Sequence, residues 1–422
     1  MHLITIVHGK KHMLPSDFIE YTSSLFGEER WMRYLRAFSE PVPVSIRLNP
    51  FKQPAGGVMP CGDVIAERVP WCTTGYYLSE RPNFTLDPLL HAGGYYVQEA
   101  SSMFLDEVLR QHARDISGTA LDLCAAPGGK STLLRAALPP DVVLYSNEPD
   151  RRRANILMEN MQKQGSPNVV VTNNLPRDYR RCKMAFDLVL CDVPCSGEGM
   201  FRKDEGAIGE WSVQNVMKCR DLQRSIVEDI WPCLKSGALM VYSTCTFNTR
   251  ENEENVRWIT EELGAELLPV CISDEWGITG SLLEGWDAPV YRFIPGIAKG
   301  EGLFMAVMRK TDGEVFKNPK PALNVLHSSL TMPQGTQKGK DVIPAHAEAL
   351  MTCLQKDKYP MVELSHGDAL HYLRREAITL PADTPRGFVV VTYQGLPLGF
   401  VKNIGNRANN LYPQEWRIKQ NI

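Results

Sequence analysis

The chain has 422 residues, 43% of them hydrophobic, with 46 Lys+Arg, 49 Asp+Glu and 11 cysteines. At about 100–200 residues per domain, this length means two to four domains with ample apolar material, which excludes a small disulfide-stapled scaffold. The net charge of −3 gives no global sign of a polyanionic partner, so a nucleic-acid reading has to come from local charge.

The opening stretch His2-Leu3-Ile4-Thr5-Ile6-Val7-His8 is too short for a signal-peptide core. Pro15-Ser16-Asp17 predicts a helix start, followed by apolar spacing at Phe18, Ile19, Leu25 and Phe26 and then at Trp31, Tyr34, Leu35 and Phe38, a helix pair ended by Pro41 and Pro43. A strand over Ser45-Ile46-Arg47-Leu48, a Gly/Pro-rich loop over 54–62 and a helix within 97–113 complete an N-terminal α+β region, 1–115.

From 116 to 312, apolar runs alternate with helical stretches, the pattern of a doubly wound, mostly parallel α/β sheet. Five runs stand out at 120–123, 142–145, 169–171, 186–190 and 238–242, and a sixth at 303–308 closes the domain. Residues 313–345 are rich in Pro, Gly, Lys, Gln and Ser and read as a linker. Within 346–422 a short helix, 367–376, and two strand-like runs around a turn, 387–393 and 396–401, predict a small, separate β-rich module. There is no run of about 18 apolar residues, so no membrane span is expected. The cysteines are odd in number, sit in apolar surroundings and show no zinc spacing, which points to a reduced, cytoplasmic protein without a metal.

Two constellations carry chemistry. The first is Ala120-Leu-Asp-Leu-Cys-Ala-Ala-Pro-Gly-Gly-Lys-Ser-Thr132, a strand, a glycine turn and a helix start. Glycines admit close backbone approach, and the helix N-terminus offers free N–H groups. The spacing matches neither a dinucleotide fingerprint nor a phosphate loop, whereas an amino-acid carboxylate, as in S-adenosylmethionine, suits this helix end. Glu148, at the end of the second strand, stands where a carboxylate bonds a ribose diol. The plain alternative is a simple turn and a surface acid.

The second constellation is Cys191-Asp192-Val193-Pro194-Cys195-Ser196-Gly197, after the fourth strand, with Tyr242-Ser243-Thr244-Cys245-Thr246, after the fifth. Parallel strands end on one edge, so Asp192, Cys195 and Cys245 should converge. An amino-nitrogen methyltransferase favours an Asn/Asp-Pro-Pro-aromatic corner; Asp-Val-Pro-Cys argues for carbon. Carbon-5 of a pyrimidine needs a thiolate added at C6, a carboxyl group near N3 and a base to remove the C5 proton. Two cysteines and one aspartate fit these roles. A single strand-end cysteine, as at 124, 191 or 233, is more often an inert hydrophobe.

Leu123-Cys-Ala-Ala-Pro-Gly-Gly-Lys-Ser131, Asp192-Val-Pro-Cys-Ser-Gly-Glu-Gly-Met-Phe-Arg-Lys-Asp204 and Tyr242-Ser-Thr-Cys-Thr-Phe-Asn-Thr-Arg-Glu-Asn-Glu-Glu-Asn255 closely resemble the RNA 5-methylcytosine methyltransferases. Tyr95-Tyr-Val-Gln-Glu-Ala-Ser-Ser-Met103, Gly395-Leu-Pro-Leu-Gly-Phe-Val-Lys402 and Asn410-Leu-Tyr-Pro413 resemble the bacterial RsmF type, which acts on 16S rRNA. The resemblance runs from Leu14 over nearly the whole chain. It implies a class I, Rossmann-like S-adenosylmethionine-dependent fold with a C-terminal PUA-like module. It implies Cys245 as nucleophile, Cys195 as the thiol that assists release, and Asp192 at N3 and near the methionine end of the cofactor. By the same resemblance Cys124, Ala125, Ala126, Pro127, Gly128, Gly129, Lys130, Glu148 and Arg153 hold the cofactor. Lys203 lies near the site, on base, cofactor, RNA backbone or solvent alike. Two positions depart from the family: Asn174, whose amide oxygen can accept the same hydrogen bond and which is therefore expected to bind the cofactor, stands in place of the acid facing the adenine amino group, and Gly296 stands where a His is frequent.

Between 151 and 186 eight Lys/Arg face two acids, a cluster that suits a phosphate backbone or equally a solvated face. The final stretch of the terminal module, 381–422, carries five basic residues, Lys402 and Arg407 among them, with Tyr412 and Trp416 as stacking candidates for RNA. The reading is an RNA cytosine-5 methyltransferase with ribosomal small-subunit RNA or an assembling subunit as partner, no DNA, no membrane and a monomeric chain. Transfer RNA as substrate, or a non-catalytic assembly factor, are the alternatives.

Overall fold

The computed structural model describes residues 4–7, 10–313, 316, 319–320, 322–339, 341–355 and 357–420. Parts of the opening apolar stretch and of the expected linker therefore lie outside the described residues.

Helix α1 (Ser16–Ala37) is broken by Gly27 at φ 71°, which makes it the expected pair of helical segments. Strands β1 (Val44–Leu48), β2 (Ile65–Arg68), β3 (Gly75–Leu78) and β4 (Tyr95–Val97) form an antiparallel sheet in the order β2-β3-β1-β4. Helix α2 (Phe104–His112) leads into the central domain.

That domain alternates β5 (Thr119–Asp122), α3 (Gly129–Ala137), β6 (Val143–Asn147), α4 (Arg151–Gln164), β7 (Val169–Thr172), β8 (Phe186–Asp192), α5 (Val213–Ile230), β9 (Leu234–Thr244), α6 (Glu253–Leu263), β10 (Ala265–Leu267), β11 (Val290–Phe293) and β12 (Leu303–Lys310). The sheet order is β10-β12-β9-β8-β5-β6-β7, with β11 also on β12; β9, β8, β5, β6 and β7 are mutually parallel, and β12 runs antiparallel to β9. The chain moves outward from β5 through β6 to β7, then returns to start β8 beside β5. This reversal opens a crevice at the carboxyl ends of β5 and β8, the usual ligand site of doubly wound folds. Alternation along β8 shows why the sheet is buried on both faces. Leu188 and Leu190 join the core under α2, α3 and α4, while Val189 and Cys191 join the core under α5 and α6.

Two features differ from the sequence expectation. Within the stretch read as a linker, β13 (Val325–Ser328) adds an antiparallel edge to β7, with Val325 opposite Thr172. The C-terminal module contains α7 (His346–Leu350), β14 (Met361–Glu363), α8 (His366–Leu373), β15 (Gly387–Tyr393), β16 (Leu396–Asn403) and β17 (Ala408–Asn410). It is not a separately packed body: Leu370, Tyr372, Val389, Val391, Leu398 and Trp416 share one core with Ile46, Tyr76, Leu78, Phe84 and Tyr95 of the N-terminal sheet. Among the described residues no helix is long and apolar enough to cross a membrane.

Candidate active site

Strand β5 delivers the chain to the crevice at Asp122, and Leu123 continues the ladder by donating to Leu190 O (3.0 Å). The turn that follows needs glycine, since Gly128 has φ +119° and a Cβ there would sit 3.3 Å from Asn160. Helix α3 then starts with no side-chain cap, so its first N–H groups remain available to a ligand. The loop is held from outside by Arg153 Nη2 on Ala126 O (2.9 Å), Asn160 Nδ2 on Pro127 O (2.8 Å) and Ala125 N on Asn147 O (2.7 Å). Burial, with Cys191 and nearby acids, pushes the Cys124 thiol well above its usual range, so it is neutral.

The carboxylates around this turn are incompletely used. Asp122 Oδ2 accepts from Ser131 Oγ (2.6 Å), but Oδ1 is buried without a partner, and burial raises this carboxyl to about 7. Glu148 is buried; Oε1 accepts from Asp150 N (3.1 Å), while Oε2 lacks a hydrogen bond, its nearest cation being Arg153 Nη1 at 3.5 Å. Free buried acceptors cost stability unless something pairs with them. An uncapped helix start beside a carboxylate with one oxygen free of hydrogen bonds, just after β6, fits a ligand with a carboxylate and a ribose diol, as S-adenosylmethionine has.

Asn174 is engaged away from the glycine turn: its Oδ1 accepts from Asn324 N (2.9 Å) and its Nδ2 donates to Asn324 O (3.2 Å), so the side chain pins the segment before β13. Its neighbour Asn173 is likewise engaged, donating to Glu148 O and Pro149 O, both at 2.8 Å.

The register Asp192↔Ser243 between β8 and β9 brings the two cysteine loops together. Cys195 Sγ and Cys245 Sγ are 3.1 Å apart, and Cys245 N donates to Cys195 Sγ (3.3 Å). The hydrogen bond with Cys245, then burial, pushes the Cys195 thiol well above its usual range. Asp192 Oδ1 accepts from Ser243 Oγ (2.6 Å) and Oδ2 from Lys130 Nζ (2.8 Å). Burial works against the Lys130 charge, but Asp192 and Asp122 outweigh it and keep the ammonium protonated. The glycine loop and the thiol edge are therefore joined by one ion pair.

Several neighbours of the site had no local sequence signal. Arg47, in β1, donates through Nη2 to Thr132 Oγ1 (2.6 Å) and through Nε to Gln98 Oε1 (2.7 Å), fastening the N-terminal sheet to the start of α3. Helix α1 reaches the Cys245 loop through Tyr21 and Thr249, whose hydroxyls lie 2.9 Å apart. Gly296, at φ +82°, faces α1: a Cβ there would lie 2.4 Å from Arg33 O, which leaves no room for a larger side chain.

Lys203 is half-buried on the wall of a cleft of about 1180 Å³, together with Gln98, Arg81 and Lys299; the two thiols do not line it. In the terminal module Lys402 pairs with Asp341 (2.5 Å) and Arg407 is exposed. The stacking expectation for Tyr412 and Trp416 is corrected, since both are buried against His346, at ring distances of 5.2 and 5.1 Å. They build the module core. In the basic cluster Arg151, Arg152, Arg177, Arg180, Arg181 and Lys183 are all exposed.

Comparison with known proteins agrees with this geometry. Residues 108–309 match the family model "16S rRNA methyltransferase RsmB/F", residues 14–100 the N-terminal domain of 16S rRNA methyltransferase RsmF, and residues 359–418 the methyltransferase RsmF PUA domain. The chain is 32% identical to ribosomal RNA small subunit methyltransferase F of Pectobacterium atrosepticum, over 74% of this chain and 66% of that protein. It is 31% identical to the protein of the same name from Aliivibrio fischeri, over 95% of this chain and 97% of that one. Among solved structures, NSun6 from Pyrococcus horikoshii with SFG, an S-adenosylmethionine analogue, superposes with a TM-score of 0.59 and 20% identity, covering 71% of this chain and 99% of that one.

Proposed function

This chain belongs to the RsmF family of 16S rRNA methyltransferases, S-adenosylmethionine-dependent enzymes that methylate ribosomal RNA, and from that premise we propose that it methylates C5 of cytosine through a covalent adduct on Cys245. The bound cofactor supplies an electrophilic methyl group. Gly128, Gly129 and the start of α3 receive its carboxylate, Glu148 its ribose diol, and Arg153 steadies the loop beneath it.

In the proposed reaction the Cys245 sulfur adds to C6 of an unstacked cytosine, the C5–C6 π electrons become available at C5, and C5 takes the methyl group. Asp192, with Lys130 beside it, faces the N3 edge where charge develops. Loss of the C5 proton to a base then reforms the double bond as the C6–S bond breaks, and Cys195 is the thiol near enough to assist. The observation that carries this reading is the 3.1 Å contact between the Cys195 and Cys245 sulfurs at the ends of two adjacent parallel strands.

The test uses Cys245→Ala and Cys195→Ala enzyme with labelled cofactor and 16S rRNA or assembling small subunits. Cys245→Ala should form no covalent complex on a denaturing gel and release no product. Cys195→Ala should accumulate the complex and turn over at least 100-fold more slowly, on the order of what loss of a positioned acid or base costs. The reverse pattern sinks the assignment, and cofactor binding with no methyl transfer by the unaltered enzyme sinks the catalytic reading altogether.

A further inference from the structure

The two loops that carry the thiols exchange carboxylates. Glu198, three residues beyond Cys195, reaches into the Cys245 loop: Oε2 accepts from the backbone N–H of Phe247 (2.7 Å) and of Asn248 (2.9 Å). Its Oε1 accepts from Trp211 Nε1 (2.9 Å) and Asn248 Nδ2 (3.1 Å). Glu251, six residues beyond Cys245, reaches the other way. Its Oε2 accepts from the backbone N–H of Ser196 (3.0 Å) and from Gln223 Nε2 (2.7 Å), and its Oε1 from Asn248 Nδ2 (2.8 Å). Both acids are fully buried, at 1% and 0% exposure, and the Asn248 amide bridges them. Ser196 Oγ lies 2.9 Å from Thr246 Oγ1, and Gly199 N donates to Cys245 O (2.8 Å).

Burying two acids side by side is costly unless every lone pair is used. Three of these seven bonds come from backbone N–H groups of the partner loop, and directional hydrogen bonds of that kind hold geometry more stiffly than apolar packing does. We propose that Glu198 and Glu251 are positioning residues, a reciprocal strap that fixes the reach between the Cys195 and Cys245 sulfurs and so sets how fast the adduct is resolved. The inference rests on the roles proposed above for the two thiols. Removing either carboxylate leaves the peptide of one loop without its anchor on the other. A misplacement of about 1 Å between reacting groups can cost on the order of 100-fold in rate.

The test compares Glu198→Gln and Glu251→Gln with the unaltered enzyme. Each change puts an amide NH₂ where only acceptors fit, with almost no change in volume. Cofactor affinity by calorimetry and the far-UV spectrum should stay within about twofold and unchanged respectively, because neither acid touches the glycine turn. Thiol spacing is read without RNA. Diamide accepts the two electrons and two protons that leave when the sulfurs of Cys195 and Cys245 join, and peptide mapping gives the rate of that disulfide. We expect it to slow at least tenfold. With RNA, kcat should drop at least 30-fold with little change in KM, and the covalent complex should accumulate, because capture at C6 outlasts release.

Glu251→Asp, which keeps the carboxyl group one methylene shorter, should fall between, and it carries the test if a Gln variant fails to fold. Unaltered disulfide and turnover rates in the folded variants overturn the strap. Absence of a covalent complex in the Cys195→Ala enzyme overturns the thiol roles instead, and the disulfide rate still reads the strap independently of that failure.

Discussion

At the scale of single residues, the useful distinction is between side chains with acceptors to spare and side chains already spent. Glu148 keeps a buried oxygen without a hydrogen bond, whereas Asn174 has both amide atoms committed to Asn324. Asn174→Ala should therefore destabilise the fold by about 0.5–1.5 kcal/mol, the net value of the hydrogen bonds it loses to the exposed Asn324 backbone. Cofactor affinity should change less than twofold; a tenfold loss in calorimetry would return Asn174 to the adenine contact. Lys130→Met makes the opposite case. It leaves Asp192 Oδ2 without its 2.8 Å partner beside the thiols, so kcat should fall steeply while the melting temperature moves little. Cys195 and Cys245 were legible in the sequence because each closely follows a parallel strand ending on one edge. Arg47 and Gln98 were not, since they meet α3 only through contacts that span most of the N-terminal region.

At the scale of elements, helix α6 begins with Glu253, which forms a fully buried pair with Arg292 of β11: Nη2 lies 2.8 Å from Oε1 and 2.7 Å from Oε2. This pair ties the helix following the Cys245 loop to the edge of the sheet. Arg292→Met leaves the Glu253 carboxylate buried and unpaired, a loss of about 3–5 kcal/mol in denaturant unfolding. Arg292→Met combined with Glu253→Leu should recover a large part of it, and no recovery would mean the pair contributes through packing alone. The five parallel strands could be read from apolar runs because both faces are buried. Strand β13 could not, for its four residues sit on an edge, half exposed, inside a segment whose composition has no period. The break in α1 was legible in the change of apolar spacing after Phe26, and the structure places it at Gly27.

At the scale of the whole molecule, the terminal module and the N-terminal sheet have one core between them. Removing residues 346–422 should expose Ile46, Tyr76 and Tyr95 and give an aggregating or strongly destabilised chain; an intact, soluble remainder with an unchanged melting temperature would contradict the shared core. The same joint carries a pH signature. His346 is driven down to about 3, first by burial and then by the charges of Lys163 and Lys52, and neither ring nitrogen has a partner. Below pH 6.5 the unfolded chain binds a proton that the folded chain refuses, so this contribution is present above 6.5 and is lost as pH falls toward 3. Asp122, Glu251 and Glu301, raised by burial to about 7, act in the opposite direction and lose stability as pH rises through that value. They are common to both proteins when unaltered enzyme is compared with His346→Phe. The stability gap between pH 7 and pH 4.5 should shrink by on the order of 2 kcal/mol in the variant, measured by urea unfolding.

The sequence by itself determined the order of strands and helices, the glycine turn with its uncapped helix start, and the convergence of Asp192, Cys195 and Cys245. All of these follow from local periodicity and from the rule that parallel strands end together. Only the tertiary structure decided what each polar group is paired with: Lys130 with Asp192, Asn174 with Asn324, Glu198 and Glu251 across the thiol loops, Tyr412 and Trp416 inside a core shared with the N-terminal sheet. Hydrogen bonds and burial act over a few ångströms of space, and these partners are tens to hundreds of residues apart along the chain.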